Sequence, residues 1–120
     1  MFSEEVLQHF RNPRNAGDLP GATAQVEVSN PVCADVLQLA ARMEHGRIAE
    51  AKFLCRGCTT AIACASFLTE LIEGRTLAEM RNVTALAVSE GLGGLPQATY
   101  HGAQLAADAL KALLDKLGSV

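Results

Sequence analysis

The strongest constraint on how this chain can fold is a hairpin pattern in residues 37–55. Two segments in which apolar and polar side chains largely alternate flank the short sequence EHGR at residues 44–47. The apolar positions are Leu37, Leu39, Ala41 and Met43 before the turn, and Ala49, Ala51, Phe53 and Cys55 after it. Alternation with a period of two around a glycine-containing turn is typical of a β-hairpin with one buried face. We therefore expect two antiparallel strands here.

A third strand precedes this hairpin, and the other segments favour helices. Apolar side chains alternate with polar ones in residues 24–28, which predicts the third strand. Ser3 is a good N-cap for a helix that ends before Pro13. Thr59 or Thr60 is expected to cap a longer helix, which ends near residue 73 with Gly74 as its C-terminal stop.

Three further helices follow from local signals in the second half of the chain. The sequence TLAE at residues 76–79 has capping-box spacing, and a short helix is expected at residues 85–90. The last helix carries an apolar face that consists of Leu110, Leu113, Leu114 and Leu117. Strands followed by helices predict an α+β fold, in which helices cover one face of a small three-stranded antiparallel sheet.

Composition narrows the class of protein. The length of 120 residues fits one domain over residues 1–120. The formal net charge of −3, one tyrosine, four phenylalanines and no tryptophan argue against a basic, aromatic surface for nucleic acid. No apolar run approaches a membrane span, and the acidic start is unlike a signal peptide. These features predict a cytoplasmic protein without nucleic-acid or membrane partners.

The chemistry of the chain is concentrated in its cysteines. Four cysteines in a reducing compartment favour metal binding, catalysis or burial over disulfides. Cys33 and Asp35 follow the first strand, Cys58 stands where the third strand meets a helix, and His101 begins the last helix. The positive end of the helix dipole at Cys58 would favour a thiolate. Two thiolates, an imidazole and a carboxylate would hold zinc or bind iron in a cluster.

Each of these residues also has an ordinary structural interpretation. Cys33 could be a buried loop residue, Asp35 could cap a turn, and the backbone could satisfy His101. The sequence CRGC at residues 55–58 could be a redox pair, although the end of an inward strand face favours core packing for Cys55. Cys64 shares a helix face with apolar residues and is also expected in the core. His9 and His45 are expected to be surface or capping residues.

Several ordered motifs resemble the NifU/IscU-type iron–sulfur cluster assembly scaffolds. They are HFRNPRNAG at residues 9–17, PVCAD at 31–35, GCTTAIA at 57–63, LTE at 68–70, GRTL at 74–77 and DAL at 108–110. The resemblance covers nearly the whole chain, without the insertion that marks the zinc-dependent SufU-like branch.

The resemblance implies a scaffold that carries a cluster and does not catalyse a reaction. Members receive sulfur from a cysteine desulfurase, assemble a labile [2Fe–2S] cluster with iron, and pass it to recipient apo-proteins. An Hsp70-type chaperone and its co-chaperone assist this transfer. The family ligands are three cysteines, an aspartate and a histidine, and four of these positions match Cys33, Asp35, Cys58 and His101.

The chain departs from the family pattern at two places. The third ligand cysteine, usually regarded as the sulfur acceptor, should directly follow the histidine, and that residue is Gly102. Residues 95–99 read LPQAT where the chaperone-recognition pattern Leu-Pro-Pro-Val-Lys is expected. Cys55 or Cys64 could replace the missing thiolate.

The leading interpretation is a carrier of iron or a nascent [2Fe–2S] cluster. One alternative is a zinc-binding or regulatory homologue that no longer accepts sulfur, because four such ligands suit one tetrahedral zinc ion. A second alternative is a thiol–disulfide protein that uses the CRGC sequence.

Overall fold

The computed structural model describes residues 2–30 and 34–118. It contains three strands and five helices, in the order α1 Glu4–Arg11, β1 Ala24–Asn30, β2 Asp35–Glu44, β3 Arg47–Arg56, α2 Thr59–Ile72, α3 Leu77–Met80, α4 Ala85–Gly91 and α5 His101–Leu117. A single 3-10 turn, Gln97–Thr99, precedes α5. None of the helices in these residues is long and apolar enough to cross a membrane.

The strands form an antiparallel sheet in the order β1-β2-β3. Helices α2 and α5 pack against one face of this sheet. The core between these layers includes Leu37, Leu39, Ala41, Ala51 and Phe53 from the sheet, Ala61, Cys64 and Leu68 from α2, and Leu105, Ala109 and Leu113 from α5. The expected α+β architecture is confirmed.

One strand position differs from the sequence prediction. Ala49 was expected on the buried face of β3, but it is exposed, and Ile48 is buried instead. The register shifts between Arg42 and Met43, so that these residues pair with Glu50 and Ile48. An extra residue in one strand is a β-bulge, which reverses the face on which the following side chains lie.

The face of α1 that meets α2 contains a buried histidine, where the sequence analysis expected a surface or capping residue. His9 is 7% exposed, and its Nδ1 lies 2.8 Å from Ser66 Oγ. Ser66 Oγ also accepts a hydrogen bond from the Arg14 amide, at 2.8 Å. If Ser66 donates its own proton to Nδ1, His9 is neutral and its Nε2–H faces Glu70 Oε1, 3.5 Å away.

The buried position of His9 predicts a loss of stability in mild acid. Burial and then the positive charge of Arg14 lower the pKa of His9 below its ordinary value of 6.5, against the opposing effect of Glu70. The unfolded chain therefore binds the proton more readily, so His9 contributes stability above about pH 6.5 that is lost as the pH falls. Urea unfolding at several pH values should show a shallower acid slope for His9→Gln.

The exposed His45 in the β2–β3 turn provides the matched control. His45→Gln removes an exposed imidazole, and it should change the acid slope of the unfolding free energy less than His9→Gln does. An acid slope that is the same in His9→Gln and in the unmodified protein would contradict this assignment.

Candidate metal centre

Three elements end at the same edge of the molecule, and each contributes one polar side chain. Asp35 is the first residue of β2, and Cys58 directly precedes α2. His101 is the first residue of α5. Cys33, the fourth residue expected at this edge, lies outside the described residues, as does most of the loop at residues 30–33. The structure therefore brings together the three candidate residues that it describes.

Cys58 is the N-cap of α2. Its backbone is extended, with φ −74° and ψ 169°, and its Sγ accepts a hydrogen bond from the Ala61 amide at 3.4 Å. Thr59 and Thr60, which the sequence pattern favoured for this role, already lie within the helix. The cap fixes the Cys58 side chain at the helix N-terminus, and the residue remains exposed.

Asp35 is buried, and its two neighbouring features are an unusual backbone conformation at Ala34 and a close contact at Gly57. It is 5% exposed, although it is the first residue of the central strand β2. The residue before it, Ala34, has φ +56°, a left-handed conformation that costs a non-glycine residue about 1–2 kcal/mol. On the other side, a Cβ at Gly57 would lie 3.0 Å from Asp35 Cγ and Oδ1. The carboxylate is therefore packed closely against the segment that leads into α2.

The three donor atoms converge on one point. His101 Nε2 lies 3.6 Å from Cys58 Sγ and 3.6 Å from Asp35 Oδ2. Cys58 Sγ lies 4.0 Å from Asp35 Oδ2. Ligand atoms bound tetrahedrally at about 2.0–2.3 Å from zinc would be about 3.3–3.8 Å apart. The group can therefore hold a metal ion after small side-chain adjustments.

The same geometry does not support a nucleophilic relay. In a Ser-His-Asp arrangement the nucleophile and the carboxylate use different ring nitrogens of the histidine. Here both Cys58 and Asp35 are nearest to Nε2 of His101. Convergence on one nitrogen is compatible with ligands around a shared ion.

The other two described cysteines have a different environment. Cys64 is fully buried, and burial is the main cause that raises the pKa of its thiol to about 12. Cys55 is half-buried, and burial likewise raises its pKa to about 11. Burial therefore disfavours the thiolate form at both positions, and neither residue belongs to the donor group of Asp35, Cys58 and His101. The expected core packing of Cys64 is confirmed, and Cys55 packs against the core.

Gly102 follows His101 in the first turn of α5, where α5 packs against α2. The first turn of α5 approaches the first turn of α2 so closely that a Cβ at residue 102 would lie 3.1 Å from Thr60 Cγ2 and 3.2 Å from the Ala61 nitrogen. Residue 102 is therefore adjacent to the segment capped by Cys58, but it supplies no donor atom. The sequence pattern indicates that residue 102 lacks a ligand side chain. It does not indicate the close contact between α5 and α2 at this residue.

Comparisons with known proteins agree with this architecture. The family model described as NifU-like N terminal domain matches residues 1–118. Iron-sulfur cluster assembly scaffold protein IscU 1 of Archaeoglobus fulgidus is 43% identical over 111 residues, which cover 92% of this chain and 72% of that protein. The scaffold protein IscU of Azotobacter vinelandii is 40% identical over 115 residues, covering 92% and 89%.

A solved structure supports the fold. The N-terminal part of a NifU-like protein from Brucella abortus superposes with a TM-score of 0.77 at 16% identity, and the match covers 97% of this chain and 93% of that one. At this identity the likeness concerns the fold alone. The family match over residues 1–118, together with relatives at 40% identity or more, settles the relationship. The chain belongs to the NifU-like N-terminal domain family, which includes the IscU scaffold proteins.

Proposed function

We propose that this protein is an iron–sulfur cluster assembly scaffold, which holds iron or a nascent [2Fe–2S] cluster and passes it to apo-proteins. The convergence of Asp35, Cys58 and His101 within 4.8 Å of one another is the observation that carries the proposal. Relatives at 40–43% identity are named as such scaffolds. Cys33, two residues before Asp35 in the chain, would be the fourth ligand.

The proposed ligands suit a cluster that must be released to another protein. Thiolates bind iron in clusters strongly, whereas carboxylate and imidazole are harder ligands. Cys58 is exposed and His101 is partly exposed, so a recipient protein can reach the site. With Gly102 in place of a thiolate, the proposed ligand set contains two cysteines, Cys33 and Cys58. We infer that the cluster is bound loosely and that the protein acts as a carrier and not as an enzyme.

The partners follow from this role. A cysteine desulfurase would supply sulfur, and apo iron–sulfur proteins in the cytoplasm would receive the cluster. The segment at residues 95–99 that an Hsp70-type chaperone would recognise lacks the lysine and the second proline of the family pattern. We expect chaperone and co-chaperone to stimulate transfer less than in relatives with the complete pattern.

Transfer of a cluster tests the function. The protein would be loaded anaerobically with iron and sulfide and mixed with an apo [2Fe–2S] protein, whose circular dichroism differs from that of the scaffold. We expect the recipient signal to grow as the scaffold signal decays. A scaffold that takes up no cluster, or one that keeps it while the recipient stays empty, would contradict the proposal.

A second candidate function is a zinc-binding regulator that has lost sulfur acceptance. The missing donor at Gly102 favours it, because the remaining ligands are sufficient for one tetrahedral zinc ion. Stimulation of a cysteine desulfurase, together with tightly held zinc and no cluster, would distinguish this function from a scaffold.

Both candidate functions predict that zinc stabilises the folded protein. An ion that binds only the folded state at 100 times its Kd adds about 2.7 kcal/mol to the free energy of unfolding. Thermal unfolding with Zn²⁺ and then with excess chelator should show a rise in Tm that the chelator reverses. An unchanged Tm in both conditions would contradict metal binding at this site.

A further inference from the structure

Gly57 lies between β3 and α2, directly before the candidate ligand Cys58. Gly57 is not one of the described glycines that have a positive φ. The backbone at residue 57 therefore does not require glycine, and alanine could adopt the same conformation. The reason for a glycine at this position must be sought in its surroundings.

The space above Gly57 is filled by the carboxylate of Asp35. A Cβ built on Gly57 would lie 3.0 Å from both Cγ and Oδ1 of Asp35, and 3.2 Å from Cβ of Ala61. Contacts this short require the neighbouring atoms to move. The Ala61 contact is with a helix residue that has no rotatable side chain, so the Asp35 carboxylate is the group that would be displaced.

The two carboxylate oxygens face different neighbours. Oδ1 lies against Gly57, whereas Oδ2 faces His101 Nε2 at 3.6 Å and Cys58 Sγ at 4.0 Å. Close packing of Oδ1 against a residue without a side chain thus sets how far Oδ2 reaches into the site. A methyl group at residue 57 would change that reach while leaving every donor atom in the chain.

We propose that Gly57 is a positioning residue of the metal centre, which acts by leaving room for the Asp35 carboxylate between β2 and the start of α2. This inference rests on the proposed function, because it takes Asp35 as a ligand. Gly57 touches no metal ion and donates no ligand atom.

Co²⁺ is a suitable probe, since its visible spectrum reports tetrahedral coordination and its titration gives a Kd. We expect Gly57→Ala to weaken Co²⁺ binding by about 10–100-fold, which is the usual cost of removing the support of a ligand. Asp35→Ala, which removes the proposed ligand itself, should weaken it at least as much. If Gly57 acts through Asp35, the double variant should bind Co²⁺ within about twofold of Asp35→Ala alone.

Gly91→Ala is the matched control for a general effect on the fold. A Cβ at Gly91 would collide with the ring of Phe67, which lies about 13 Å further along α2 than Cys58. This variant should lower the Tm without a change in the Kd for Co²⁺.

The outcomes separate the two proposals. If the unmodified protein binds no Co²⁺, the proposed function fails, and the role of Gly57 fails with it. If it binds Co²⁺ and Gly57→Ala binds equally well, only the positioning role is overturned. Additive losses in the double variant, or a Kd that also changes in Gly91→Ala, would likewise overturn it.

Discussion

Replacement of Cys58 by serine is expected to abolish metal binding without harm to the fold. Loss of an outer-shell partner costs about 10–100-fold in affinity, so loss of a thiolate ligand should cost more than about 100-fold. Serine is among the preferred N-cap residues, so its hydroxyl can replace Sγ as acceptor for the Ala61 amide. The Tm of the metal-free variant should therefore equal or exceed that of the unmodified protein. At Co²⁺ concentrations that saturate the unmodified protein, the variant should show no thiolate-to-metal absorption, because the remaining ligands bind too weakly.

Substitution of the other described cysteines gives the contrasting result. Cys64→Ser places a hydroxyl in the core, and we expect it to lower the Tm and leave the Kd for Co²⁺ unchanged. Cys55→Ser should also leave the Kd unchanged, because Cys55 is not part of the donor group that Asp35, Cys58 and His101 form. Metal affinity that falls in Cys55→Ser or Cys64→Ser as far as in Cys58→Ser would show that a core cysteine serves as a ligand.

Introduction of cysteine at residue 102 is expected to strengthen cluster retention and to weaken the fold. The new thiol would lie one residue after His101 and beside the first turn of α2. A third thiolate should lengthen the lifetime of a reconstituted cluster by about tenfold, equivalent to about 1.4 kcal/mol. The Cβ contacts of 3.1–3.2 Å with Thr60 and Ala61 should cost about 1–3 kcal/mol of stability. Decay of visible absorption and urea unfolding measure the two effects.

Gly102→Ala separates these effects, since alanine adds the same Cβ without a sulfur atom. We expect it to lose as much stability as Gly102→Cys and to retain the cluster no longer than the unmodified protein. Equal cluster lifetimes in the cysteine and alanine variants would show that the absent thiolate does not limit retention.

Much of the fold follows from local patterns in the sequence. Alternation around residues 44–47 identified the β2–β3 hairpin, and TLAE at residues 76–79 forms the expected capping box of α3. These features depend on near neighbours in the chain, so their signals are local. The edge location of Asp35, Cys58 and His101 was also predictable, because all three residues stand at the ends of elements.

The differences arise where distant residues decide the outcome. The burial of His9 depends on Ser66 and Glu70 of α2, which no pattern within α1 could indicate. The bulge that exposes Ala49 depends on the pairing of β3 with β2. The roles of Gly57 and Gly102 depend on what a side chain there would meet, and only the packed helices and strands provide that information.

Assembly of a cluster with sulfur from a cysteine desulfurase tests most directly whether this protein is an iron–sulfur cluster scaffold. The protein, Fe²⁺, cysteine, the desulfurase and a thiol reductant, which supplies the remaining electrons for reduction of persulfide sulfur to sulfide, would be combined anaerobically. Visible circular dichroism would be followed in parallel for Cys58→Ser and Cys55→Ser. We predict a [2Fe–2S] spectrum with the unmodified protein and with Cys55→Ser, and none with Cys58→Ser. A cluster that forms equally in all three, or in none of them, would contradict the account.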